Sequence, residues 1–212
     1  MFVFQKQTSW IVLRTLGDLL CVLNIIICIK IINFEKIQMK ILIIGPLGAG
    51  KSALAYTINK KYGLSRLNLD EVYRIKNGGY RSEDEQFCIL NSFLNNNSSW
   101  VMEGCQKTLY ERVKPDLIVD MRISRLLAIW RFTTRFLKAK KLIGKDISPD
   151  LPIQAYHYRK ITLSKILDWD RANKEINQQI ADFLRNTKIP ILTCKNFRSY
   201  QKIFDYIERV CS

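Results

Sequence analysis

Gly45-Pro46-Leu47-Gly48-Ala49-Gly50-Lys51-Ser52 matches G-x-x-x-x-G-K-[ST] at every fixed position. That spacing suits one chemistry, the holding of a polyphosphate. Its glycines allow backbone shapes that a Cβ would bar, so successive N–H groups can turn inward on phosphate oxygens. Lys51 can reach the outer phosphates, and the Ser52 hydroxyl can ligate Mg²⁺. Two acids stand where chemistry beside such a cradle needs them. Asp70 can take a proton from an acceptor hydroxyl or support Mg²⁺ through water, and Glu103 can support Mg²⁺ through water. Arg131 and Arg135, four residues apart and so on one helical face, can close on a transferred phosphate or stack on a base. Each has a plainer reading as well. Asp70 suits a strand-end turn, and the arginines suit an exposed basic helix face.

The surrounding sequence supplies elements to position these groups. Lys40–Ile44 is a short apolar run of the kind buried in parallel sheets, and it leads straight into the glycine loop. Ala53–Lys61 reads as a helix stopped by Gly63. Ser65–Arg74 suggests a second strand ending at Asp70. Ser82-Glu83-Asp84-Glu85 is a capping box that opens a helix to about Leu94. Trp100–Gly104 and Asp116–Met121 read as the third and fourth strands, followed by a long helical stretch with Arg131 and Arg135. Lys188–Cys194 supplies a last strand and "YQKIFDYIERV" a closing helix. Strands alternating with helices imply an α/β fold, a parallel sheet covered on both faces. Ligands then bind at the carboxyl ends of the strands, where Gly45, Asp70 and Glu103 all fall.

The totals agree with one domain and an appendage. The chain has 212 residues, 48% hydrophobic and 25% charged, which is ordinary globular composition. The net charge of +15 is not ordinary, and it favours phosphate-bearing partners or an anionic membrane surface. Six scattered cysteines without a C-x-x-C pair, and the single His157, offer neither a zinc site nor a disulfide framework. They read as reduced thiols of a cytoplasmic protein.

Residues 1–38 differ in kind from the rest of the chain. "LLCVLNIIICI", between Asp18 and Lys30, is short for a bilayer crossing, and no cleavage-type small residues come after it. Three readings stand: a membrane-associating helix, an extra element packed on the domain, or sequence translated upstream of the working start. The third is preferred, because Met39 stands one residue before a strand that opens a complete domain, residues 39–212. These first 38 residues carry four lysines and arginines against two acids, so the remainder keeps +13 of the charge.

From Met39 to about Val210 the chain resembles the small adenylate-kinase-like P-loop proteins often described as DNA topology modulation proteins. The matching pieces are the cradle beside Met39, "LNLDEVY", "WVMEG", and "SRLLAIWRFTTR" with its Trp-Arg pair. The resemblance implies a three-layer α/β/α P-loop kinase fold with strand order 2-3-1-4-5. It implies ATP and Mg²⁺ as cofactors, and a small phosphate acceptor, a nucleotide or another metabolite. It also implies a lid at Lys138–Asp150, with Lys138, Lys140, Lys141 and Lys145 meeting phosphates. The chain departs from the pattern at Glu103, where relatives carry Asp, and at Cys105-Gln106-Lys107, where an aromatic, Pro and Arg are expected. A strand-end Asp of relatives falls on Arg122. The alternative function is a nucleotide-gated nucleic-acid-binding protein, although no DNA- or RNA-binding motif is visible. A basic rim around the cradle favours phosphoryl transfer. A basic face away from it favours nucleic acid.

Overall fold

The computed structural model describes residues 37–75, 79–139, 169–196 and 198–211, the side chains at 135, 136, 139, 169, 170 and 198 aside. The expected extension before Met39 lies outside the described residues apart from its last two positions, as do Gly78, His157 and the lid from Lys140 on, including Lys141 and Lys145.

Five strands form one parallel sheet: β1 (Lys40–Ile44), β2 (Ser65–Asn68), β3 (Trp100–Glu103), β4 (Leu117–Met121) and β5 (Ile191–Cys194). Their order is β2-β3-β1-β4-β5, as expected, which puts β1 at the centre. Register is set by Ile41 opposite Val101 on one side and Leu117 on the other. Strands buried on both faces need apolar residues at every position, and β1, β3 and β4 are buried along nearly their whole length.

The helices are α1 (Lys51–Tyr62), α2 (Leu69–Tyr73), α3 (Glu83–Asn96), α4 (Lys107–Tyr110), α5 (Arg125–Ala139), α6 (Trp169–Asn186) and α7 (Arg198–Cys211). One layer is fixed by a core in which Leu42, Ile44, Trp100 and Met102 meet Leu69, Leu90, Tyr110 and Ile180 from α2, α3, α4 and α6. On other contacts of the sheet, α1 packs along β1, β2 and β3, and α7 along β5. The capping box forms as read: the Ser82 hydroxyl accepts from the Glu85 N–H while the Glu85 carboxylate accepts from the Ser82 N–H. Gly63 takes the left-handed conformation that ends α1, its N–H donating to Asn59 O at 2.9 Å.

Three expectations are corrected. The second strand stops at Asn68 rather than running on to Asp70. The Asn68 side chain accepts from the Asp70 N–H at 2.9 Å and so caps a short helix that carries Asp70 in its first turn. The first helix begins at Lys51, two residues early, because Gly50 O already accepts from the N–H groups of Ala53 and Leu54. The last strand begins only at Ile191, since Pro190 cannot donate to a sheet ladder.

Candidate phosphate-binding cleft

The loop from Gly45 to Gly50 leaves β1 at the centre of the sheet and turns directly into α1. Two of its glycines are required by space as well as by conformation. Gly45 has φ 153°, and a Cβ there would lie 2.5 Å from Met121 O. Gly48 has φ 81°, and a Cβ there would lie 3.1 Å from Ala128 O on α5. A tight turn closes the tip, with the Ala49 N–H donating to Pro46 O at 3.3 Å.

Side chains hold the loop carbonyls from two directions. Lys51, the first residue of α1 and only 6% exposed, donates from Nζ to Gly45 O at 2.9 Å and to Pro46 O at 3.1 Å. Arg131 Nη1 lies 3.3 Å from Gly48 O and 3.4 Å from Ala49 O. Both cations therefore stand at the loop. Arg135 lies one turn further along α5.

Glu103 closes β3 and is fully buried. Its Oε1 accepts from Arg66 Nη2 at 3.2 Å, while Oε2 is buried without a hydrogen bond of good geometry. Burial chiefly, and then the neighbouring Asp70 charge, hold its proton above the usual carboxylate range. Lys51, the Ser52 hydroxyl and Arg66 pull the other way. The structure thus brings Glu103, Asp70, Lys51 and Ser52 to one place. Asp70 Oδ1 lies 3.5 Å from the Cys105 N–H and 3.6 Å from its Sγ. Burial, reinforced by Asp70, pushes the Cys105 thiol up to about 12.

Four features escaped the sequence reading. Arg66, two residues before the end of β2, pairs with Glu103 across the strand boundary. Asp120, one residue before the end of β4, is 3% exposed and opposite Ile44, and it pairs with Arg122 at 2.6 Å. An apolar strand ending in a carboxylate, "LIVD", was the available signal. Asn173, from α6, accepts the Leu47 N–H at 2.8 Å, and nothing in the local sequence marks it. The fourth is a pair of cavities flanking the loop. One, of about 190 Å³, lies among Ala49, Leu127, Arg131, Lys195 and Tyr200. The other, of about 420 Å³, lies among Pro46, Arg125, Asn173, Lys174 and Asn177.

No protein-family model matches the chain, and no curated protein sequence does. Among solved structures, a deoxyadenosine kinase from M. mycoides with bound dCTP is similar at 17% identity, with 81% of this chain and 100% of that chain covered and a TM-score of 0.45. An uncharacterized protein from Eubacterium ventriosum is similar at 12% identity, with 81% and 99% covered and a TM-score of 0.47. The sheet order and the loop give the P-loop kinase fold without them. None of the described helices is long and apolar enough to cross a membrane.

Proposed function

We propose that this chain, in its domain from Met39 onward, is an ATP-binding kinase that transfers a phosphoryl group to a small acceptor with the help of Mg²⁺. The observation that carries this is the meeting of Lys51, Ser52, Asp70 and Glu103 at the glycine loop, with a buried carboxylate oxygen left over. Loop amides and the start of α1 suit the phosphates. The smaller cavity, between Arg131 and Tyr200, has room for a base.

Mg²⁺ fits the groups present. It takes hard oxygen donors, keeps several waters, and binds through one or two carboxylates plus phosphates. No cluster of three or more His, Cys, Asp or Glu side chains that could hold a metal alone occurs among the described residues, so phosphate would complete the set. Ser52 and Glu103 are the residues that would hold it, and there it would neutralise charge developing on the transferred group. The ionised carboxylate that a cation needs at Glu103 is favoured by Lys51, the Ser52 hydroxyl and Arg66 and opposed by burial.

The chain's own residues supply the rest. Lys51 leaves the Gly45 and Pro46 carbonyls for phosphate oxygens. Asp70 accepts the proton of an acceptor hydroxyl. Arg131, and Arg135 on the same helix, balance charge on the moving phosphoryl group. Such catalysis is positioning plus electrostatic stabilisation.

Nucleic-acid binding gated by the same nucleotide is the competing reading. The described cations at the cleft argue for phosphoryl transfer: Arg122, Arg125, Arg131, Lys174 and Lys195 line the two cavities beside the loop. That is a basic rim around the cradle. The test is incubation of the full chain with Mg²⁺–ATP and a panel of nucleosides, nucleoside monophosphates, sugars and hydroxy acids, with Lys51→Ala alongside. Phosphorylation of one acceptor, absent in the control, supports the reading. ATP binding with no turnover on any acceptor overturns it, and duplex binding that weakens steeply with salt then supports the alternative.

A further inference from the structure

The backbone of the loop is held by three side chains of different chemistry. Lys51 and Arg131 hold carbonyls, and both are cations. A phosphate oxygen is a stronger partner for either than a neutral carbonyl, so both grips loosen when a polyphosphate arrives. Asn173 is the exception. Its Oδ1 accepts the Leu47 N–H at 2.8 Å across 126 residues of sequence, and its side chain is only 5% exposed. A neutral amide oxygen gains nothing from an incoming anion. It is also the acceptor that this half-buried N–H has in the fold, and leaving such a donor unpaired is costly.

Leu47 is fixed from its other end too. Its side chain packs on the Ala128 and Phe132 cluster of α5. One residue at the tip of the loop therefore joins α5 through its side chain and α6 through its backbone. Pro46 before it has a fixed φ and no N–H, so the tip has few other ways to be anchored.

We propose that Asn173 is a positioning residue for the phosphate cradle: its bond to the Leu47 N–H keeps the loop tip in its binding shape while Lys51 and Arg131 exchange carbonyls for phosphate. The proposal rests on the ATP-binding reading given above. With Asn173 in place the amides are oriented before the ligand comes, and without it the ordering cost falls on binding.

The experiment compares the full wild-type chain with Asn173→Leu, Asn173→Asp and Gln179→Leu. The last changes an exposed residue of the same helix that lines neither cavity. ATP affinity is measured by calorimetric titration, and exchange of the Leu47 amide by NMR without nucleotide. Asn173→Leu is expected to bind ATP about tenfold more weakly and to exchange the Leu47 amide at least about tenfold faster, the scale of one lost buried hydrogen bond. Asn173→Asp, which keeps an oxygen at the same reach, should retain slow exchange, and Gln179→Leu should match wild type in both. Unchanged Leu47 exchange or unchanged ATP affinity in Asn173→Leu overturns the proposal, as does an equal loss in Gln179→Leu, which would assign the effect to the helix. Should Asn173→Leu fail to fold, Asn173→Ala is read by the same criteria. If the wild type itself binds no ATP, the functional reading fails, and exchange at Leu47 still decides whether Asn173 holds the loop.

Discussion

Arg66 Nη2 stands 3.2 Å from Glu103 Oε1, and the pair joins the edge strand β2 to the buried end of β3. Arg66 is two residues before Asn68, which faces Glu103 in the parallel register, so the guanidinium reaches diagonally across the strand pair. The carboxylate it meets is fully buried, while Arg66 itself keeps some contact with solvent. Lys51, the Ser52 hydroxyl and Arg66 together do not repay full desolvation, and Glu103 holds its proton above the ordinary range.

A pH dependence of stability results. A carboxyl whose folded pKa is raised binds its proton more tightly in the fold than in the unfolded chain. Its contribution is fully present below the ordinary value and is lost as pH rises through the raised one. Glu103→Gln removes this dependence. Relative to the variant, the nucleotide-free wild type should lose stability steadily above pH 4.5, the ordinary value for this carboxyl. Urea unfolding of both proteins between about pH 5 and 8 measures it. Parallel curves would mean that Glu103 is ionised throughout.

Cys105 offers a chemical readout of the same neighbourhood. Burial and the Asp70 carboxylate raise its thiol to about 12. The thiolate is the reactive form, so alkylation near neutral pH should lag well behind that of exposed Cys88. Asp70→Asn removes a charge that opposes the thiolate and should speed Cys105 labelling while leaving Cys88 unchanged. Mass spectrometry after brief iodoacetamide treatment reads both sites. Equal labelling of Cys105 in the two proteins would show that Asp70 does not act on it.

Gly104 tests how tightly the acid-bearing helix is docked. A Cβ on Gly104 would lie 2.7 Å from Leu69 Cβ and 3.5 Å from the Asp70 backbone nitrogen. Gly104→Ala must push α2 away from β3, and overpacking of this kind costs about 1–3 kcal/mol. Chemical denaturation should show that loss. Because Asp70 moves with α2, turnover should fall further than ATP affinity, and steady-state kinetics beside binding titrations separate the two.

How far the sequence announced all this differs between the parts. The loop was legible because its chemistry needs fixed residue types at fixed local spacing, and the central strands because burial on both faces leaves an unbroken apolar run. Asp70 was found, but in the wrong element: "SRLNLDEVYR" has strand-like residues throughout, and only the Asn68 cap decides where the helix begins. Arg66 and Asn173 act through partners brought near by the fold. Arg66 and Glu103 are 37 residues apart, and Asn173 and Leu47 are 126 apart. Asp120 lay inside a strand that was read correctly, yet its role appears only through its Arg122 partner. Local patterns carry elements and cradles. Pairings between elements come with the fold.

Lys51 is where binding and stability part most cleanly. In the nucleotide-free chain its ammonium is almost wholly withdrawn from solvent and spends its hydrogen bonds on Gly45 O and Pro46 O. Lys51→Met keeps the apolar stem and deletes the charge. The variant loses two hydrogen bonds but no longer has to desolvate an ammonium, so its melting temperature without nucleotide should stay close to that of wild type. The phosphate partner is lost outright. A charge-assisted hydrogen bond is worth about 1.5–3 kcal/mol, so ATP affinity should fall about tenfold to a hundredfold, and turnover should vanish. Thermal melts with and without ATP check both at once. Wild type should shift upward with nucleotide while Lys51→Met stays nearly still, because ligand stabilisation grows only with the ratio of free ATP to its dissociation constant. An equal upward shift in both proteins would remove Lys51 from the phosphate site.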